Sequence, residues 1–213
     1  MTIKGRRERE KEEMRELILS AANDIIASEG LDKVSIRKIA RKIEYSPSII
    51  YHYFNDKEEI LNNLMQRGYK KIVTAVSSAK VEGDSPKERL IEMTKNYIEA
   101  ALNMPEEFMA AKLNQSEIAL KHTSSLFKGA SKEKPALAAL YNCLKEIYKD
   151  KEIDENTVEL TAQMIAVSTL GLIIKLIIEK DIGDKQRQRL IEYFSEEVVL
   201  RIVNETGIKS KEV

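Results

Sequence analysis

Hydroxyl, phenol, imidazole and ammonium groups concentrate in the stretch 46–57 of this sequence. Ser46 followed by Pro47 is typical of a helix start, since serine caps helices and a proline at the first helical position loses no hydrogen bond. In the short helix predicted here, which runs to about residue 53, Ile50 and Phe54 are four residues apart and are expected to face a core. The side chains that then face solvent suit hydrogen bonds to phosphates and base edges, and they are Pro47, Ser48, Tyr51 and His52.

Catalytic and metal-binding chemistry finds no comparable grouping of residues. His52 and His122, the two histidines, are far apart in the sequence, and Cys143 is the single cysteine. No HExxH or CxxC spacing and no glycine-rich phosphate loop occurs in the sequence. We therefore predict no catalytic residue, no metal site and no cofactor. Cys143 is expected to be a small apolar core residue, and His122 a surface or loop residue.

Helices are predicted to position these residues. The sequence has four prolines and eight glycines, its apolar fraction of 43% is enough for a core, and no convincing strand is present. Asp56, with Glu59 three residues later, forms a capping-box-like start for the fourth helix. Apolar residues at helical spacing predict an all-α chain of about nine helices, near residues 8–29, 36–43, 47–53, 57–79, 86–104, 105–121, 135–150, 155–180 and 185–204.

The net charge of the chain is zero, from 35 basic and 35 acidic residues. Proteins that coat nucleic acid without regard to sequence rely on an excess of positive charge. The composition therefore disfavours that class, and any contact with DNA must come from a local arrangement of residues.

The stretch that begins at Ser35 has the layout of a helix-turn-helix. Ser35 is placed to cap a helix of about eight residues, a three-residue connection follows, and the helix opened by Pro47 comes next. In this motif the first helix braces the second, which lies in the major groove of DNA. We predict a helix-turn-helix over 35–54 within a DNA-binding domain of residues 12–72, followed by a helical regulatory and dimerisation domain over 73–213.

The segment Val34–Leu61, VSIRKIARKIEYSPSIIYHYFNDKEEIL, resembles the signature of the tetracycline-repressor (TetR) family. The family reads approximately T-x-R-x-I-A, a short turn ending in Ser, a helix with L-Y-x-x-F, and then K-x-x-L. The chain departs from this pattern at Glu44, where the family usually has Gly, and in the exchanged order of His52 and Tyr53. A positive φ at Glu44 would cost on the order of 1 kcal/mol. The matching positions are Ser35, Arg37, Ile39, Ala40, Ser46, Ile50, Tyr51, Phe54, Lys57 and Ile60.

The resemblance implies a set of residues that contact DNA. Arg37 would reach a guanine edge or a phosphate, and Lys57 would hold a phosphate. Ile49 would contact a thymine methyl or, equally, pack against a neighbouring helix. Which of His52 and Tyr53 reaches the bases stays open. The full predicted set is Ser35, Arg37, Lys38, Ser46, Pro47, Ser48, Ile49, Tyr51, His52, Tyr53 and Lys57.

The last two predicted helices, over 155–204, carry more apolar surface than one face can bury. The longest apolar run, Met164 to Ile178, is shorter than the roughly 20 residues that a membrane span needs, so we predict a buried helix and no membrane. Two such helices from each of two chains would form a four-helix dimer interface, as the resemblance implies. The predicted interface residues are Met164, Ser168, Gly171, Leu190, Phe194 and Val198.

Aromatic and methionine residues of the middle helices are candidates for lining a ligand cavity, because such side chains adapt to irregular shapes. Ordinary core packing is the alternative for each of them. No cluster of one charge accompanies them, which favours an apolar or weakly polar ligand. The candidates are Met93, Tyr97, Met104, Phe108, Met109, Phe127, Tyr141 and Tyr148.

These features together predict a DNA-binding transcriptional regulator. The single cysteine and the charged N-terminal segment fit a reducing cytoplasm. The resemblance implies a homodimer that represses from a palindromic operator in double-stranded DNA and is released by a small-molecule effector. A helical interaction module without a role at DNA, and an activator without ligand-released repression, remain the alternatives.

Overall fold

The computed structural model describes residues 3–79 and 85–206, and the regular structure within those ranges is entirely helical. The prediction of an all-α chain is confirmed. The helices are α1 (Ile3–Glu29), α2 (Ile36–Lys42), α3 (Pro47–Tyr51), α4 (Lys57–Ser77), α5 (Pro86–Leu102), α6 (Pro105–Lys112), α7 (Glu117–Thr123), α8 (Ala130–Glu133), α9 (Pro135–Ile147), α10 (Glu155–Ile178), α11 (Asp184–Tyr193) and α12 (Val199–Glu205).

The helix count differs from the predicted nine for identifiable reasons. The helix predicted over 105–121 is broken into α6 and α7, because the Asn114 side chain accepts a hydrogen bond from the Ser116 N–H (2.7 Å). The Ser116 hydroxyl then caps α7 by accepting from the Ala119 N–H (3.3 Å). The short helix α8 lies in a stretch predicted to be loose, and a π-helical segment, Phe194–Val198, joins α11 to α12.

The chain packs into two compact units. The first consists of Met1–Tyr69 with Glu106–Thr123, and the second of Lys70–Pro105 with Ser124–Val213. The first unit thus includes α6 and α7, which lie well inside the domain predicted over 73–213. Residues 83 and 84 of the predicted linker lie outside the described residues. The division into a DNA-binding and a regulatory domain stays a functional prediction.

A cluster of buried apolar side chains holds the first unit together. One face of α1 contributes six of its residues, α2 contributes Ile39 and Ala40, and the start of α4 contributes Ile60 and Leu61. Each large aliphatic side chain buried in this way stabilises the fold by about 1.5–3 kcal/mol. The residues from α1 are Ile18, Leu19, Ala21, Ala22, Ile25 and Ile26.

Helix α7 is attached to α4 through a side-chain pair. The His122 Nε2 atom lies 2.8 Å from the Asn62 Oδ1 atom, and the His122 side chain is partly buried. Of the two positions expected for His122, a loop is wrong, and a partly exposed position on a helix is what the structure shows. The residue lies in the last turn of α7 and makes a specific contact within the first unit.

In the second unit α10 fixes the loop that precedes α8. The Glu159 side chain, 8% exposed, accepts hydrogen bonds from the Gly129 N–H (2.9 Å), the Ser131 N–H (2.9 Å) and the Ser131 hydroxyl (2.7 Å). These donors, the Ser131 hydroxyl first, lower the pKa of Glu159. One turn further, the Gln163 side chain donates to the carbonyls of Ser125 and Phe127. Buried polar side chains of α10 thus organise residues 125–131.

The composition of α10 raises the question of whether this helix spans a membrane or lies in a protein core. Helix α10 is long and apolar enough to cross a membrane by length and composition, with a mean hydropathy of 1.9. It also buries Glu159, Gln163 and Thr169, and such polar positions on its inner face fit a core helix.

Cys143 is buried as expected, and burial raises the pKa of its thiol to about 11.

Glu44 follows the cap of α2 in the left-handed conformation, with φ of 61°, and it is the one non-glycine residue with positive φ in the described ranges. The Tyr45 N–H donates to the Ala40 carbonyl (2.9 Å) and the Glu44 N–H to the Arg41 carbonyl (3.3 Å). This pair of bonds is the Schellman motif, whose left-handed position is normally Gly. The expected strain at Glu44 is thus present.

We predict that Glu44→Gly stabilises the protein by about 0.5–1 kcal/mol. The left-handed conformation costs a side-chain-bearing residue about 1–2 kcal/mol, and the added chain entropy of glycine offsets part of the gain. The free energy of unfolding in urea measures the change. Lys42→Gly, two residues earlier and inside α2, is the matched control and should destabilise by about 1 kcal/mol. A Glu44→Gly protein less stable than the parent would contradict the prediction.

Candidate nucleic-acid interface

Helices α2 and α3 form the helix-turn-helix predicted over 35–54. The Ser35 hydroxyl accepts from the Lys38 N–H (3.3 Å) and caps α2 as expected. Ser46 precedes α3, but its hydroxyl pairs with the Ser48 hydroxyl (2.7 Å) and makes no capping bond. The prediction that the Ser46 side chain caps the second helix is therefore wrong, and Pro47 marks the start of α3 without it.

The two sides of α3 differ sharply in burial. Ile50 is 0% exposed and Phe54, just beyond the helix, is 1% exposed, and both belong to the core cluster of the first unit. Tyr51, by contrast, is 57% exposed. Pro47, Ser48 and His52 are exposed with it. We call these four exposed residues the outer face of α3.

His52 and Tyr53, whose order is exchanged relative to the family pattern, differ in exposure. Helix α3 ends at Tyr51, two residues earlier than predicted, because the His52 and Tyr53 N–H groups already donate to carbonyls three residues back. Tyr53 is partly buried and packs against the core cluster, whereas His52 is exposed. Ile49 is partly buried. The geometry therefore leaves His52, and not Tyr53, on the outer face.

Three basic residues of the predicted set differ in what surrounds them. Arg37 is exposed. The Lys38 ammonium lies 2.5 Å from a Glu29 carboxylate oxygen, and this hydrogen bond lowers the pKa of Glu29. Lys57 is partly buried and is the first residue of α4. Arg37 and Lys57 are thus better placed than Lys38 to meet an external anion.

Asp56 and Glu59, the predicted capping residues, determine where α4 starts, but Glu59 bonds to a different partner from the one expected in a capping box. The Asp56 side chain accepts from the Glu59 N–H (2.7 Å), as a capping box requires. Glu59 reaches back to the Asn55 N–H (2.8 Å) and the Asn55 side chain (2.9 Å), one residue earlier than the usual partner. These bonds fix Lys57 immediately after the α3 segment.

Arg15 of α1, which sequence reasoning missed, secures the end of the α3 segment. Its guanidinium donates to the Tyr53 carbonyl (2.5 Å) and lies 4.2 Å from the centre of the Phe54 ring. A Glu59 carboxylate oxygen lies 4.0 Å away. One signal was available in the sequence: Arg15 lies three residues before Ile18 and so falls on the face of α1 that carries the core.

The predicted dimer residues lie on α10, α11 and the π-helical segment. Met164 is 48% exposed and Leu190 36%, Gly171 is exposed, and Ser168, Phe194 and Val198 are partly buried. Met164 belongs to a stripe of exposed apolar side chains along α10, which we call the α10 stripe. It consists of Leu160, Met164, Val167 and Ile178.

The predicted ligand residues are distributed over both units. Phe108 and Met109 belong to the first unit, where Met109 lines a groove of about 380 Å³ beside Leu31 and Leu113. The other six belong to the second unit, namely Met93, Tyr97, Met104, Phe127, Tyr141 and Tyr148. Tyr148 is 3% exposed, and its hydroxyl donates to the Val203 carbonyl (3.0 Å), so it serves as a core residue. That these residues line a ligand cavity stays a prediction.

Residues 18–64 match the sequence profile of the family "Bacterial regulatory proteins, tetR family". The chain is 32% identical over 75 residues to YuxN, an uncharacterized HTH-type transcriptional regulator of Bacillus subtilis (strain 168), covering 35% of this chain and 26% of that protein. It is 29% identical over 112 residues to the HTH-type transcriptional regulator BetI of Stenotrophomonas maltophilia (strain R551-3), covering 49% and 57%. The chain thus spans between about a quarter and a little over half the length of these relatives, both of which are named as transcriptional regulators.

A solved tetR family transcription regulator from Shewanella sp. PV-4 has a similar fold, with a TM-score of 0.68 at 16% identity. The likeness covers 92% of this chain and 98% of that chain. The sequence match therefore lies on the helix-turn-helix, and the structural match extends to both units. Residues 18–64 thus match the helix-turn-helix segment of the TetR family, and the described residues have the all-helical fold of a solved regulator of that family.

Proposed function

We propose that this protein is a homodimeric transcriptional repressor that binds a palindromic operator and is released by a small molecule. The observation that carries the proposal is the outer face of α3, which combines exposed polar groups with complete burial of Ile50 on the opposite side. A regulator of this kind acts on double-stranded DNA in the cytoplasm.

The outer face of α3 has the chemistry that reading a major groove requires. The Ser48 hydroxyl, the Tyr51 phenol and the His52 imidazole can donate or accept hydrogen bonds at base edges and phosphates. Arg37, exposed on α2, and Lys57, at the start of α4, supply positive charge on either side. The partly buried Ile49 supports packing more than a contact with thymine.

The α10 stripe supports the homodimer. Its members are spaced by four, three and eleven residues, so they lie on one face of a helix whose other side is packed in the second unit. Exposed apolar side chains grouped on one face of a helix are candidates for an interaction site. A second copy of the chain presents the same stripe, which suits the self-complementary interface of a two-fold dimer.

A two-fold dimer determines the form of the operator. Two identical α3 helices read identical sequences in opposite directions, so the half-sites form a palindrome, with centres about 34–36 Å apart or somewhat more if the DNA bends. Release by an effector then requires a change in the separation of the two helices. The aromatic and methionine residues predicted on the middle helices are the candidates for contacting that effector.

We predict that Tyr51→Ala and Lys57→Ala each weaken binding to duplex DNA from the region upstream of the protein's own gene. Tyr51→Ala removes a specific contact and should reduce the binding free energy by about 1–3 kcal/mol. Lys57→Ala removes a phosphate contact, so the slope of log affinity against log salt concentration should become shallower by about 0.9. Fluorescence anisotropy at several salt concentrations measures both. Lys149→Ala, an exposed charge in the second unit, is the control. Parent-like binding by both variants would refute the assigned face.

We predict that Met164→Glu converts the dimer into a monomer with the chain mass of 24.3 kDa. A carboxylate on each copy at the two-fold interface is costly to bury without a partner. Leu126→Glu places the same charge on another residue that is 62% exposed and should leave the dimer intact. Sedimentation velocity at micromolar concentration distinguishes the species, and circular dichroism verifies the fold. A monomeric parent would contradict the homodimer.

We predict that Arg15→Ala weakens DNA binding by disordering the end of the α3 segment. The lost hydrogen bond and ring contact should destabilise the first unit by about 1–3 kcal/mol. Because Arg15 positions the interface and does not bind a phosphate, the salt dependence of DNA affinity should equal that of the parent. A changed salt slope would show instead that Arg15 contacts the DNA backbone.

A further inference from the structure

Helix α1 extends beyond the part of the first unit that it helps to hold together. Its core residues begin near Met14, yet the helix itself begins at Ile3 and residues 6–13 are all exposed. The eleven residues before Met14 correspond to about 16 Å of helix. This extension also lies outside the residues that match the family profile.

The charges on this extension are divided between its faces. Arg7, Lys11 and Arg15 are spaced by four residues and so lie along one side of the helix. It is the same side that carries Ile18 and Ala22 of the core further along. Arg7 and Lys11 are exposed, and no ion pair to either is present among the described residues. We call these two residues the α1 basic stripe.

The acidic residues of the extension lie beside the stripe and on the opposite side of the helix. Glu8 borders Lys11 and Glu10 borders Arg7, each at a spacing of three residues, and Glu10 is bonded to Arg6 (2.8 Å). Glu12 and Glu13 lie further round the helix. Basic and acidic residues alternate in the sequence, but Arg7 and Lys11 share one side of the helix. A chain with no net charge can therefore carry a local basic surface.

The α1 basic stripe continues the surface of the DNA-binding segment. Arg15 bonds to the Tyr53 carbonyl, immediately after Tyr51 and His52 of the outer face. Lys11 and Arg7 then follow about 6 and 12 Å further along the helix axis. Ammonium and guanidinium groups suit hydrogen bonds to phosphate oxygens, and such bonds position a protein on the duplex without reading its sequence.

We propose that the α1 basic stripe is a second DNA contact, which binds the phosphate backbone next to each half-site. The inference rests on the proposed binding of DNA by the outer face of α3. Its partner is DNA of any sequence, because phosphate contacts carry no sequence information. The extension thereby adds affinity and salt dependence to a recognition helix of only five residues.

The test compares two double variants of the full-length protein that remove the same charge. Arg7→Ala/Lys11→Ala removes the stripe, and Arg6→Ala/Arg9→Ala removes two arginines from the other side of the helix. Affinity for the upstream duplex and for an unrelated duplex is measured by fluorescence anisotropy from low to physiological salt. Circular dichroism verifies that alanine, a strong helix former, preserves α1.

The stripe variant should bind both duplexes about tenfold more weakly, and the slope of log affinity against log salt should fall by about 1.8, from two contacts of 0.9 each. The control variant should resemble the parent in slope. Equal effects of the two variants, or a larger effect of the control, would overturn the proposal. A parent protein that binds neither duplex would instead refute the proposed function on which the stripe depends.

Discussion

The burial of Ile50 and Phe54 is the interaction on which the DNA-binding surface depends. Helix α3 has five residues, whereas an isolated helix shorter than about 12–15 residues is marginal in water. Its conformation and orientation therefore come from tertiary packing against α1 and α2, and not from its own propensity. With Ile50 fixed inside the core, the 3.6-residue period directs Ser48, Tyr51 and His52 outward.

Polar contacts complete what this packing begins. The Schellman motif at Glu44 reverses the chain after α2, and Arg15 secures the Tyr53 carbonyl at the other end of the segment. The bonds among Asn55, Asp56 and Glu59 then start α4 at once. Surface ion pairs such as Arg67 with Glu16 join α4 to α1, but exposed pairs of this kind contribute at most about 1 kcal/mol.

The sequence was sufficient for the features that depend on local pattern. Helical spacing, the Ser35 cap and the position of Pro47 predicted α1 to α3 and the inward direction of Ile50. Features that depend on tertiary contacts were out of reach: the role of Arg15, the burial of Tyr53, and the packing of α6 and α7 with the first unit. The Asn114–Ser116 turn that divides α6 from α7 was visible in the sequence, but the apolar period around it favoured one continuous helix. Phe108 and Met109 lie on α6 and so belong to the first unit.

The central claim is that the outer face of α3 contacts DNA, and site-specific cross-linking tests it most directly. Ser48→Cys and Ser28→Cys place a thiol at two exposed serines of the first unit, one on α3 and one on α1. A benzophenone maleimide labels these sites, while the buried native Cys143, whose pKa of about 11 keeps it protonated, reacts poorly. Irradiation of the complex with upstream duplex DNA should give a protein–DNA adduct from position 48 and none from position 28. An adduct from position 28 in equal yield, or a DNA-bound protein without an adduct from position 48, would contradict the account.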